Sequence, residues 1–164
     1  MRPSRRFSGL VRALSAEFIP RPANQQALVT EQLQIPKGVL TTAIWPGEVY
    51  DTGTNPNYPN GFWDAANPTR LTATVSGFYV PTAWLDWSSG VGTYRYAQFT
   101  VNGALAWGSD IKGTVSGGPR STSSQLLVGI QRFMSAGEYF ELDLEQDSGG
   151  NLGCVAYFGI MRIP

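Results

Sequence analysis

The chain has 164 residues, of which 42% are hydrophobic, 12% aromatic and only 15% charged, with 19 glycines and 11 prolines. A chain this long can bury a core without covalent staples, and this mixture suits short strands joined by turns better than a helical bundle. Histidine is absent and cysteine occurs once, which excludes a Ser-His-Asp or Cys-His centre within the chain, an imidazole zinc site and an intrachain disulfide.

The formal net charge of +0 conceals a split. Residues 1–24 hold five arginines against Glu17, a net of +4, so the rest of the chain carries −4. We therefore divide the chain into a basic arm, 1–24, and a mildly acidic body, 25–164. In the arm, Phe7, Leu10, Val11, Leu14 and Phe18 recur at spacings of three and four, the apolar stripe of a helix. Arg5, Arg6, Arg12 and Glu17 lie mostly away from that stripe, and Pro20 and Pro22 end it. The Arg5-Arg6 start fits a twin-arginine signal poorly, because Arg12 interrupts the apolar stretch and no small-residue cleavage site follows. No apolar run is long enough to span a membrane. So short a helix is marginal in water and needs a surface, which its own body, a partner protein or a lipid interface could supply.

From residue 25 the pattern becomes strand-like. Residues 27–35 alternate, with Val29, Leu33 and Ile35 on one side, and 39–45 form a second run. Residues 46–69 read as a long connection rich in Pro, Asn and Gly, of a length usually reserved for function. Residues 71–75 alternate, and 78–87 follow, with Pro81 suggesting an edge or a bulge. Residues 93–101 and 104–107 flank Asn102-Gly103, a hairpin signal. A Gly- and Ser-rich loop over 113–124 precedes three more strands over 125–133, 138–146 and 153–163. About eight to ten short strands with no helix between them predict an all-β fold, an antiparallel sandwich or barrel.

The body resembles the jelly-roll domain of the complement q-subcomponent and tumour-necrosis-factor superfamily, with its bacterial and bacteriophage members the nearer match. The carrying residues are Gly77-Phe78-Tyr79 through Trp87, Thr93-Tyr94-Arg95 through Val101-Asn102-Gly103, and Ala136-Gly137-Glu138-Tyr139-Phe140-Glu141-Leu142. Gln146-Asp147-Ser148-Gly149-Gly150 and Tyr157-Phe158-Gly159-Ile160 continue the match, as do Ile35-Pro36, Glu48-Val49-Tyr50-Asp51 and Phe62-Trp63-Asp64. The resemblance implies an antiparallel jelly-roll sandwich and a trimer, with aromatic and aliphatic side chains around a threefold axis, and binding of proteins or glycans in place of catalysis. The chain departs from the family in having no collagen repeat, no secretory signal and no disulfide, so complement biology is not carried over.

The residues themselves also favour assembly. Tyr94, Tyr96 and Gln98 share one strand face while Arg95, Ala97, Phe99 and Val101 share the other, and Tyr157 and Phe158 point to opposite faces. A sandwich has one inner face per sheet, so large groups on both faces call for a neighbour. Tyr94, Tyr96, Phe99, Tyr157 and Phe158 are therefore the expected trimer contacts.

Chemistry-bearing residues are few. Glu141, Asp143, Glu145 and Asp147 line one strand face, which reads as a solvated outer face before it reads as an acid/base pair or a calcium site. Cys154, among apolar neighbours, reads as a buried inert thiol. Trp45, Trp63, Trp84, Trp87 and Trp107 suit either core packing or sugar stacking. Basic residues of the body are dispersed, which argues against a nucleic-acid groove. No catalytic residue, metal or cofactor is assigned.

Together these readings point to a non-enzymatic protein of a bacteriophage particle. The expectation is a trimeric capsid decoration or cement protein on the virion surface. Its arm residues Arg5, Arg6, Phe7, Leu10, Val11, Leu14 and Phe18 would dock on the major capsid protein or another virion protein. The alternative is a receptor-binding or fibre-tip module whose loops over 46–69 and 108–124 bind a host glycan.

Overall fold

The computed structural model describes residues 25–163 apart from 55, 56, 58, 59, 93 and 115–121, with the backbone alone over 107–114. The arm over 1–24, with its expected docking residues, lies outside the described residues. Among the described residues, eleven strands make two antiparallel sheets. The first contains β1 (Gln26–Ile35), β3 (Glu48–Asp51), β5 (Gly77–Trp87), β8 (Ser123–Val128), β9 (Arg132–Met134) and β11 (Leu152–Ile163), in the order β3-β1-β11-β5-β8 with β9 also on β5. The second contains β2 (Thr41–Thr42), β4 (Arg70–Thr72), β6 (Tyr94–Val101), β7 (Ala104–Thr114) and β10 (Tyr139–Gln146), in the order β2-β10-β6-β7 with β4 also on β10. There is no helix among the described residues. The all-β sandwich expected from the strand pattern is therefore present, with one strand more than the upper expectation.

Alternation builds the core. Tyr79, Pro81, Ala83, Leu85 and Trp87 of β5 are buried at every second position, as are Cys154, Ala156, Phe158 and Ile160 of β11. The opposite sheet contributes Ala97, Phe99 and Val101 of β6 and Phe140, Leu142 and Leu144 of β10. Phe158 joins the layers: its ring lies 5.7 Å from Phe99 and 5.7 Å from Trp45, centroid to centroid. Tyr79 packs edge-on against Phe62 at 6.0 Å, and its hydroxyl donates to the Val75 carbonyl at 2.7 Å, which satisfies the one polar atom of that ring.

Several elements differ from the sequence expectation for local reasons. Residues 39–45 pair only at Thr41–Thr42, because the chain then leaves the ladder and Trp45 N–H donates to the Pro68 carbonyl at 2.9 Å. Pro81 stands inside a central strand, not at an edge. Its carbonyl accepts from Gly129 N–H at 2.9 Å, at the break between β8 and β9. The donor that proline lacks thus falls where the neighbouring strand is interrupted, which also splits the expected strand 125–133 in two. The Asn102-Gly103 hairpin forms as expected, with φ of 51° and 76°.

The described part of the long connection is pinned at both ends of a turn. It contains β3, whose last residue Asp51 accepts backbone N–H bonds from Gly53 at 2.7 Å, Phe62 at 2.6 Å and Trp63 at 3.0 Å. Gly61, at φ +77°, passes so close that a Cβ there would lie 2.5 Å from the Asp51 carboxyl. At the other end of the sandwich the fully buried Arg95 plays the same part. Its guanidinium donates to the carbonyls of Tyr94 at 2.8 Å and Gly90 at 3.3 Å and lies 3.8 Å from Asp147.

Four outcomes follow from this packing. Phe158→Ala should lower unfolding free energy by about 3–5 kcal/mol in chemical denaturation, since it empties the contact between the sheets. Asp51→Ala should cost about 2 kcal/mol in the same assay, since it orphans three backbone donors at once. Burial pushes the Cys154 thiol up to about 12 from its ordinary 9.0. The folded thiol holds its proton while the unfolded one loses it, so stability should fall as pH rises from 9.0 towards 12. At about pH 8 a thiol reagent should label Cys154 only after denaturation.

Candidate interaction surface

The two sheets carry opposite kinds of outer face. On the five-stranded sheet the outward residues of β6 and β10 bond to one another. Gln98 and Asp143 are direct cross-strand partners, and Gln98 Nε2–H donates to Asp143 Oδ2 at 3.0 Å. Thr42 Oγ1–H donates to Asp143 Oδ1 at 2.7 Å, Tyr96 Oη–H to Gln98 Oε1 at 2.6 Å, and Thr69 Oγ1–H to Glu141 Oε1 at 2.6 Å. The Tyr94 hydroxyl donates to Glu145, which raises its pKa above the ordinary tyrosine value. Asp147 accepts the Tyr94 backbone N–H at 2.9 Å and faces Arg95. The row of carboxylates is thus engaged by donors of its own sheet. Among the described residues no three His, Cys, Asp or Glu side chains are grouped to hold a metal ion.

The six-stranded sheet is the reverse. Register sets Thr30, Tyr157, Trp84 and Leu126 side by side across β1, β11, β5 and β8. The next row holds Leu28, Gly159, Thr82 and Val128, and beyond it Ile163 and Phe78 stand beside Phe133. Trp84 is 44% exposed, Leu126 57%, Phe133 56% and Tyr157 38%. Phe78 and Phe133 meet edge to face at 5.4 Å. Polar groups bound this field: Ser124 Oγ–H donates to Asp86 Oδ1 at 2.6 Å, and that bond, followed by one from Trp84, holds the Asp86 carboxyl below its ordinary pKa. A contiguous apolar field with a polar rim is the form of an interaction surface, not of a solvated sheet.

The five expected contact residues are divided by this arrangement. Tyr157 lies in the apolar field. Tyr94 and Tyr96 lie on the other sheet, half-buried, with their hydroxyls engaged. Phe99 and Phe158 are wholly buried and stack on each other between the sheets. They are corrected here to core residues, because the inward phase of β6 and β11 carries them and no neighbouring subunit can reach them. Phe78, Trp84, Leu126, Val128, Phe133 and Met161 were missed. The available signal was the second phase of residues 78–87, where Phe78, Val80 and Trp84 alternate with an equally apolar inward set. Among the tryptophans, Trp45 and Trp87 are core, Trp63 packs partly on it, and Trp107 lies outside the described side chains.

No family model and no curated protein matches this sequence. Among solved structures, the chain is similar to the globular domain of zebrafish complement 1qA protein, with a TM-score of 0.51 at 12% identity, over 86% of this chain and 97% of that one. At that identity the likeness is one of fold alone, an antiparallel jelly roll similar to that of the complement 1q globular domain.

Proposed function

We propose that this chain is a non-enzymatic structural protein of a bacteriophage particle. It forms a homotrimer through the outer face of its six-stranded sheet and decorates the capsid, with residues 1–24 clamping capsid subunits. The observation that carries the reading is the row of Tyr157, Trp84 and Leu126, set in register on a face that continues on one side through Leu28 and Val128 towards Phe78 and Phe133. Left in water this field would be an aggregation liability, and closed symmetry is the usual way for one surface to cover itself without making fibres. The asymmetry of the two outer faces fits that role, since the polar ladder leaves the second sheet content with solvent.

The viral setting follows from the resemblance of the sequence to bacteriophage jelly-roll domains, and the clamp from the arm's basic, amphipathic pattern. Three arms on one trimer raise effective concentration without any single strong contact.

Sedimentation equilibrium should give a trimer for the intact chain. Trp84→Glu combined with Leu126→Glu should give a monomer with an unchanged circular dichroism spectrum. Deletion of residues 1–24 should leave the trimer intact and abolish binding to capsids lacking the protein. A monomeric wild-type chain at micromolar concentration would overturn the assembly, and capsid binding by the truncated chain would overturn the clamp.

A further inference from the structure

Both sheets lose their regular pairing beside one cavity. β8 ends at Val128 and β9 begins at Arg132, so Gly129, Ile130 and Gln131 stand outside the ladder. On the facing sheet the β6–β7 register jumps from Thr100↔Leu105 to Gln98↔Asp110, a bulge that begins at Ala106. Between the two irregularities lies a cavity of about 220 Å³. Pro81, Ala106 and Phe140, all buried, form its floor. Gly129 forms a wall that cannot shift: its N–H donates to the Pro81 carbonyl at 2.9 Å, and a Cβ there would lie 2.6 Å from the proline ring. Ile130, 58% exposed, and the exposed Gln131 and Arg132 form the lip.

None of the three floor side chains carries a polar atom, so the cavity offers water few hydrogen-bond partners, and entry of an apolar group is favourable. An apolar cavity of about 150 Å³ holds one benzene ring, which gives this one room for a chain of roughly eight carbons. Arg132 is the one charged residue of the lining. In β9 it shares its phase with the buried Met134, while Phe133 takes the outer field, so its stem leaves the sheet on the cavity side. Glu138 lies within the field of Arg132, but both of its carboxylate oxygens are bonded, one by Ser135 N–H at 2.6 Å and the other by Asn102 Nδ2–H at 3.0 Å. Among the described residues no ion pair joins the two. A planar fork of N–H donors thus stands at the lip of an apolar cavity.

We infer that this cavity binds a medium-chain monocarboxylate, with its alkyl chain on Pro81, Ala106 and Phe140 and its carboxylate on Arg132. A carboxylate meets the guanidinium fork with two parallel N–H···O bonds, whereas an ammonium head meets like charge. The chain supplies most of the affinity, since burial of methylenes outweighs an ion pair in water, and the head fixes which end enters. This inference goes beyond the assembly reading and stands whether or not the chain forms trimers.

The test is calorimetric titration of the full chain with sodium octanoate below its micellar range, with octylammonium as the cationic control. Octanoate should bind saturably, and its terminal methyl should give intermolecular NOEs to the Phe140 ring. Octylammonium should bind about tenfold more weakly. Arg132→Gln should weaken octanoate about threefold and narrow that gap. Ala106→Leu, which fills the cavity, should weaken octanoate about tenfold or more. Ile130→Glu, at an exposed lip position, should do the same by charge at unchanged thermal midpoint, so that lost binding is told from lost fold. The affinity should persist in the Trp84→Glu, Leu126→Glu double variant, so that loss of the trimer and loss of the cavity are told apart. Absence of saturable octanoate binding, octylammonium binding of equal strength, or octanoate affinity unaltered by both Ala106→Leu and Ile130→Glu would each overturn the inference.

Discussion

Strand β11 has to serve two apolar surroundings at once. It lies between β1 and β5 in the middle of the larger sheet, and its inward residues Cys154, Ala156, Phe158 and Ile160 close the core. Phe158 links the layers through Trp45 on one side and Phe99 on the other. Its neighbour Tyr157 must then point outward, because successive strand residues alternate faces, and there it joins Trp84 and Leu126. The core and the outer apolar field are therefore two consequences of one pleat. A register slip in β11 would exchange them and unmake both.

The two outer faces show how the same alternation yields different surfaces. On the smaller sheet the outward positions hold carboxylates, amides and hydroxyls at spacings that let each carboxylate meet a donor across the ladder. Such a face gains nothing from a partner, because exchange of one set of hydrogen bonds for another is nearly neutral. On the larger sheet the outward positions hold rings and aliphatic chains, and their removal from water is favourable in proportion to area. The difference decides which side of this sandwich has reason to be covered.

Buried polar groups govern the loops at both ends. Arg95 binds the carbonyls of Tyr94 and Gly90 and faces Asp147, while Gln146 donates to the carbonyls of Ile35 and Gly150 and accepts from Ser148. Asp51 gathers three N–H groups of the segment between β3 and β4. In each case a polar group taken out of water binds backbone of a loop, and the loop gains a fixed shape from the exchange.

Much of this was legible before any coordinates. Alternation marked the strands, Asn102-Gly103 marked the hairpin, and the apolar surroundings of Cys154 marked an inert thiol. The period of two also told which side chains share a face, as with Tyr94 and Tyr96 against Arg95 and Phe99. It did not tell which face turns inward, and so Phe99 and Phe158 were grouped with Tyr157 as contacts when they belong to the core. Nor did it place Tyr157 beside Trp84 and Leu126, or bring Asp51 to the backbone of Phe62 and Trp63. Those neighbours are far apart along the chain or joined through irregular backbone, and only sheet pairing and loop closure put them in contact. The local pattern of side chains is a property of the pleat and is written in the sequence, whereas the choice of inside, outside and neighbour is made by long-range burial, which exists only once the two sheets have met.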